Sequence, residues 1–86
     1  SSMLPFLAMA DERLKENIEP VGNLDDDTPL YAYNFKGSPR TEIGVLAQEE
    51  LKRDPSNVVD IGGLLAVDYG GVARRAREVG RLRRAA

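Results

Sequence analysis

The sequence contains no cysteine, no histidine and no tryptophan. Without cysteine and histidine, a protein has no disulfides, no thiolate nucleophile, no histidine general base and none of the common zinc sites. The chain has 86 residues, of which 42% are hydrophobic, and this fits one small globular domain. Such a domain buries only about 60–65% of the surface that its unfolded chain exposes, so it is marginal alone. We therefore expect a single domain without a cofactor that is stabilised by oligomerisation.

Long apolar segments are also missing. The longest apolar stretch, residues 4–10, is far too short to span a bilayer, and no basic segment precedes it as in a signal peptide. We therefore expect a soluble protein that does not act at a membrane. Pro5 lies inside this stretch and predicts an extended conformation for residues 4–9.

Charge is distributed unevenly, although the net charge is only −2. Three aspartates, Asp25 to Asp27, form an acidic cluster. Six arginines lie near the C-terminus: Arg74, Arg75, Arg77, Arg81, Arg83 and Arg84. Such an end can bind nucleic acid through its phosphates, or it can be a solvated helix face whose cations offset the helix dipole. We favour the solvated face, because the chain is acidic and no aromatic residue lies among the arginines.

The hydrophobic pattern predicts a small α+β domain. Strands are predicted at residues 30–36, 41–45, 58–61 and 64–68. The last two flank Gly62-Gly63, a strong hairpin signal, and Gly44 inside a strand indicates a close backbone approach. Helices are predicted at residues 11–18, at 46–53 before Asp54-Pro55, and from Gly71 to the end. In the first helix, Asp11 would pair with Lys15 and Leu14 with Ile18.

The C-terminal helix carries a narrow apolar seam. Its residues recur at spacings of three and four: Tyr69, Val72, Ala76 and Val79. A narrow stripe on a helix otherwise rich in arginine is typical of a coiled coil, so we predict parallel self-association of the chain through this helix. A short amphipathic helix packed on its own hairpin remains the alternative.

Four segments resemble a known family. They are ADERLKENIEP (10–20), YAYNFKG (31–37), EIGVLAQE (42–49) and AVDYGGV (66–72). They occur in this order in the C-terminal intramolecular chaperone domains of bacteriophage tailspikes and tail fibres. The endosialidase tailspike chaperone is the best-known example, and a related domain occurs in the myelin regulatory factor of animals. The resemblance covers about residues 10–79, and its first and third motifs are specific in combination.

The resemblance implies a self-cleaving serine/lysine peptidase. In the family the first motif begins with serine and a lysine follows five positions later, which places Lys15 as the general base and Ala10 at the nucleophile position. Members form homotrimers, so the resemblance implies that the C-terminal helices form a three-fold bundle. Members also assist the folding of the fibre or tailspike segment upstream on the same chain. They do so in the host cytoplasm during phage assembly, and then cut the bond before the serine and leave the mature fibre. Here that bond joins Met9 to Ala10.

The family pattern also divides the chain. Residues 1–9 are interpreted as an upstream tail with a tag remnant at residues 1–3, and residues 10–86 as the chaperone autopeptidase domain. Supporting roles near the site are predicted for Asp11 and Asn17, although Asn17 can equally cap a turn. Gln48 and Glu49 belong to the third motif, where they would hold the trimer interface or simply be exposed.

The chemistry explains why a lysine is needed. A serine hydroxyl attacks only if a base takes its proton. Without histidine, that base is a lysine whose pKa has been lowered by burial. Two helical residues that are five positions apart lie about 140° apart around the helix axis, so their side chains do not face each other. Residue 10 is therefore expected outside the helix, at or before its N-cap. Lys15 would then fold back or come from a neighbouring chain. Alternatively, Lys15 is a surface ion-pair partner of Asp11.

Alanine at position 10 lacks the attacking oxygen. We interpret Ala10 as an engineered replacement of serine, with a naturally inactive member as the alternative. The sequence therefore predicts an intramolecular chaperone and trimerisation module whose autoproteolysis is disabled. Two alternatives stay open: a structural trimerisation foldon that never cleaves, and an arginine-rich nucleic-acid binder.

Overall fold

The computed structural model describes residues 7–85, which form two antiparallel sheets and two helices. In chain order the elements are β1 (Leu7–Met9), β2 (Lys15–Asn23), β3 (Pro29–Phe35), β4 (Glu42–Gly44), α1 (Ala47–Arg53), β5 (Val58–Ile61), β6 (Leu64–Asp68) and α2 (Tyr69–Ala85). The strand orders are β1-β6-β5 in the first sheet and β2-β3-β4 in the second. The predicted α+β class with short antiparallel strands is confirmed. The three-fold bundle involves other copies of the chain and stays a prediction.

The β5–β6 hairpin has the predicted bounds. Its turn residues Gly62 and Gly63 have φ of +61° and +90°, and Ile61 pairs with Leu64 across the turn. Glycine enters this left-handed region without a steric penalty, so the turn chemistry alone defines the hairpin. The predicted extended segment at residues 4–9 is β1 from Leu7 onward. Its earlier part, and the tag remnant at residues 1–3, lie outside the described residues.

The predicted helix at residues 11–18 is wrong. The chain makes one 3-10 turn, Glu12–Leu14, and then enters strand β2. Lys15 lies opposite Phe35 and Glu16 opposite Asn34, so the segment pairs with β3 instead of closing further helical bonds. The helical spacing of Leu14 and Ile18 is overridden by this pairing. Pro20 is compatible with β2 because β2 is an edge strand.

The hydrophobic core lies between the two sheets and the helices. Its buried members are Ala10, Val45, Ala47, Val67 and Val72, and partly buried residues pack around them: Leu24, Leu30, Val58, Leu65 and Tyr69. The predicted α2 seam is thus partly used within one chain, as the packed-helix alternative described. Val79 is only half-buried and Leu82 is 54% exposed. Within residues 7–85, neither helix has the length and apolar composition needed to cross a membrane.

Ion pairs hold α2 against the acidic cluster. Arg75 donates to Asp26 at 2.8 Å and to Glu50, whose side chain is almost fully buried. Burial alone would raise the pKa of Asp26, but hydrogen bonds from Thr28 and Arg75 lower it to about 2. Five of the six C-terminal arginines pair with carboxylates of the same chain: Arg74, Arg75, Arg81, Arg83 and Arg84. These pairs favour the predicted solvated helix face over a surface that binds the phosphates of nucleic acid.

Candidate active site

Ala10 is fully buried where β1 ends. Its N–H donates to the carbonyl oxygen of Leu65 at 3.1 Å, and its own carbonyl accepts the N–H of Ala47 at 2.9 Å. Position 10 is therefore fixed between strand β6 and the first residue of α1.

The carbonyl of the bond between Met9 and Ala10 belongs to Met9 and lies on the side of β1 that faces away from β6. The peptide is trans, so the Met9 carbonyl points opposite to the Ala10 N–H, which faces β6. Because β1 is the edge strand of its sheet, this carbonyl faces away from the paired strands. Beside it lies a cavity of about 340 Å³, lined by Ala8, Met9, Tyr33, Phe35, Glu42, Ile43 and Tyr69. The carbon that a nucleophile would attack is thus not blocked by a neighbouring strand of the described chain.

Lys15 is buried, with only 3% of its surface exposed. Its Nζ donates to the carbonyl oxygen of Val45 at 2.8 Å and lies 3.8 Å from the centroid of the Tyr33 ring. Burial lowers the pKa of Lys15 to about 8, although the charge of Asp11 opposes this shift. The interpretation of Lys15 as a surface ion-pair partner is therefore wrong. An amine in this environment can lose its proton close to neutral pH.

Asp11 does not form the predicted pair with Lys15, because other donors occupy its carboxylate. It accepts the backbone N–H of Arg13 at 2.9 Å and that of Leu65 at 3.0 Å. The side chain of Arg13 donates at 2.7 Å and that of Gln48 at 2.8 Å. The Arg13 side chain, the largest influence, holds the pKa of Asp11 far below its usual range despite burial. Asp11 thus caps the 3-10 turn and joins it to α1 and β6.

Residue 10 lies where it was expected, before the N-cap. Ala10 directly follows strand β1, and Asp11 is the capping residue of the 3-10 turn. Lys15, the first residue of β2, comes directly after this single turn. The approach of a lysine from the same or a neighbouring chain to residue 10 stays a prediction.

The remaining predicted site residues have separate places. Gln48 bridges Asp11 and the backbone N–H of Glu12, and Glu49 accepts the hydroxyl of Tyr31 at 2.8 Å. Asn17 has a φ of +55° in a bulge of β2 and donates to Asn34 at 2.7 Å on the exposed surface. Asn17 therefore lies outside the buried cluster around Lys15, and its supporting role stays a prediction.

The loop between β4 and α1 connects position 10 to Lys15. The Val45 carbonyl binds the Lys15 amine, and two residues later the Ala47 N–H binds the Ala10 carbonyl. The Val45 N–H donates to the Tyr69 hydroxyl at 3.1 Å. A Cβ on Gly44 would lie 2.5 Å from that hydroxyl, so the close approach expected at Gly44 is made by a side chain and not by another backbone segment. No signal in the sequence identifies Val45 as a partner of Lys15, because its backbone carbonyl makes the contact.

A family model described as "chaperone of endosialidase" matches residues 10–59, more than half of the chain. The chain belongs to the chaperone of endosialidase family. The resemblance seen in the sequence is thereby confirmed. The comparisons with curated proteins and with solved structures find no match.

The matched part of this chaperone of endosialidase domain begins at Ala10 and contains Asp11, Lys15, Val45 and Gln48. Strand β6 and helix α2 follow it. Among residues 7–85, no group of three or more metal-ligating side chains is placed to hold a metal ion.

Proposed function

We propose that this chain is an intramolecular chaperone with a serine/lysine autopeptidase site at the bond between Met9 and Ala10. It assembles as a homotrimer with an upstream fibre or tailspike segment of the same chain, and Ala10 leaves the site without its nucleophile. Membership of the chaperone of endosialidase family supports the chaperone role. The buried Lys15 supports the peptidase role.

One observation carries the peptidase proposal: the Lys15 amine is buried without a carboxylate bound to it among the described residues. Its hydrogen-bond acceptor is the neutral Val45 carbonyl, and the neighbouring Asp11 is occupied by other donors. A structural lysine is normally exposed or paired, since burying an isolated charge is costly. A lysine that acts as a base needs this environment, because its neutral form must be accessible.

With serine at position 10, the reaction follows from these positions. The Oγ attacks the Met9 carbonyl carbon while Lys15 takes the hydroxyl proton, which gives a tetrahedral intermediate. The C–N bond then breaks, the nitrogen of residue 10 takes the proton from Lys15, and an ester joins Met9 to the Oγ. Water hydrolyses the ester, which leaves a carboxylate on Met9 and a free hydroxyl on residue 10.

The test is the intact mass of the Ala10→Ser protein. We expect a fragment that begins at residue 10. Adding Lys15→Ala should keep the chain intact, and so should Lys15→Arg, because arginine stays protonated. Lys36→Ala, on an exposed lysine, is the matched control and should leave cleavage unchanged. Equal cleavage with and without Lys15 would reject its role as the base.

The second candidate is a trimerisation foldon that never cleaves. It predicts that the Ala10→Ser chain keeps its full mass while light scattering gives the mass of three chains. The arginine-rich nucleic-acid binder has less support, because most of those arginines pair with carboxylates of α2 and of the acidic cluster.

A further inference from the structure

Two electron-rich groups of the described chain contact the Lys15 amine. One is the Val45 carbonyl oxygen, at 2.8 Å, and the other is the face of the Tyr33 ring, 3.8 Å from Nζ to the centroid. The face of an aromatic ring carries negative potential, so it attracts N–H groups and cations as a carbonyl does. Both groups therefore interact with N–H hydrogens of the amine, and neither interacts with its lone pair.

This arrangement gives the neutral amine a direction. A neutral lysine amine has two N–H groups and one lone pair. If one N–H points to the Val45 carbonyl and the other to the Tyr33 ring, the lone pair is left for a third group. Without the ring, rotation about the Cε–Nζ bond would move the lone pair among several directions.

The Tyr33 ring is itself held in place. Tyr33 is only 6% exposed on strand β3, and Phe35 packs edge-to-face against it with centroids 5.3 Å apart. The missing side chain of Gly44 leaves room for the hydroxyl, since a Cβ there would lie 3.3 Å from it. Tyr33 also lines the same cavity as Ala8 and Met9, the residues that precede the bond to be cut.

We propose that Tyr33 is a positioning residue whose ring directs the lone pair of Lys15 toward the nucleophile position. The inference rests on the proposed peptidase function of the same site. The charged and titratable groups around this contact are Asp11, which acts on Lys15, and Glu42 and Tyr69, which act on Tyr33.

The first test measures cleavage rates in the Ala10→Ser background. Tyr33→Phe keeps the ring and should cut within about threefold of the parent rate, whereas Tyr33→Leu should cut at least about tenfold more slowly. Tyr31→Leu, two residues away on the same strand, is the matched control and should stay near the parent rate. Tyr33→Leu cutting at the parent rate would overturn the proposal.

Ring-fluorinated phenylalanines at position 33 give a second test that keeps the shape of the core. Each added fluorine weakens the negative potential of the ring face, so the cleavage rate should fall in steps along the series. A constant rate along the series would also overturn the proposal.

A third measurement does not depend on cleavage. In the chain with Ala10, the titration of the Lys15 amine is followed by NMR. Weakening the ring face removes stabilisation of the ammonium, so the midpoint should move to lower pH in Tyr33→Leu and along the fluorinated series. An unchanged midpoint would reject the Tyr33 contact. An intact Ala10→Ser protein with a shifted midpoint would reject the peptidase function but not the contact.

Discussion

The backbone N–H of Ala47 donates to the carbonyl oxygen of Ala10 at 2.9 Å, and this bond fixes the candidate nucleophile position against the start of α1. Two residues earlier, the Val45 carbonyl holds the amine of Lys15. One short loop therefore positions both members of the proposed dyad. A change in this loop should affect the nucleophile and the base together.

Cleavage by the Ala10→Ser protein should depend on pH with a midpoint near the pKa of Lys15, about 8. Only the neutral amine accepts the serine proton, so the rate should rise as the pH increases through this value and then level off. Rates of a single turnover between about pH 6 and pH 10 measure it. A rate that does not depend on pH in this range would exclude a lysine base.

Replacing Asp11 should destabilise the fold. Asp11→Ala leaves partly buried donors of Leu65 and Gln48 without their acceptor, so we expect a loss of about 2–4 kcal/mol in the free energy of unfolding. Glu19→Gln, on the exposed edge of β2, is the control and should change it little. Urea unfolding measures both variants, and equal midpoints would contradict the role of Asp11.

Asp11 also predicts how stability depends on pH. Its pKa is lower in the folded chain than its ordinary value of 3.8, so its contribution is present above that value and is lost as the pH falls below it. Asp11→Asn should remove this part of the acid dependence. If the unfolding curves of parent and variant change in parallel down to about pH 2, Asp11 is not the cause.

Gly44→Ala should destabilise the chain by about 1–3 kcal/mol, because the new Cβ would lie 2.5 Å from the Tyr69 hydroxyl. The matched control is Gly22→Ala, where a Cβ meets no heavy atom within 4 Å. Adding Tyr69→Phe to Gly44→Ala should recover part of the loss, since it removes the clashing oxygen. Thermal unfolding of the variants measures these effects, and the absence of any recovery would point to a different cause.

Arg75→Met should cost about 3–5 kcal/mol, because it leaves the buried Glu50 carboxylate without its cation. Arg81→Met is the control on the same helix. It breaks an exposed pair with Glu78, so we expect little or no change in the free energy of unfolding. Urea unfolding gives both values, and a similar cost for the two variants would contradict the special role of the buried pair.

The two valines of the α2 seam should behave differently. Val72 is 1% exposed in the core of its own chain, so Val72→Asp should unfold the chain itself. Val79 is half-buried, and Val79→Asp should leave a folded chain that no longer forms the proposed trimer. Circular dichroism reports folding and light scattering reports mass. A folded Val79→Asp trimer would show that this part of the seam does not hold the assembly.

Several elements could be predicted from the sequence because short-range chemistry defines them. Gly62-Gly63 supplies the left-handed turn of the hairpin, and Asp54-Pro55 ends α1 because a residue before proline avoids helical angles. The alternation of Tyr31, Tyr33 and Phe35 correctly predicts a strand at β3. Each of these signals lies within a few residues of the feature that it predicts. The family motifs likewise indicated Ala10 and Lys15.

The conformation after Asp11 and the surroundings of Lys15 depend instead on long-range packing, which no local pattern predicts. The spacing of Leu14 and Ile18 fits a helix, but pairing with β3 makes this segment a strand. The pairing joins residues that lie far apart in the sequence, such as Lys15 and Phe35, so no local pattern shows it. The partners of Lys15 are a backbone carbonyl at Val45 and an aromatic ring at Tyr33. A carbonyl is common to every residue type, so no sequence pattern can mark it. Burial of the amine, which lowers its pKa, exists only once both sheets have packed.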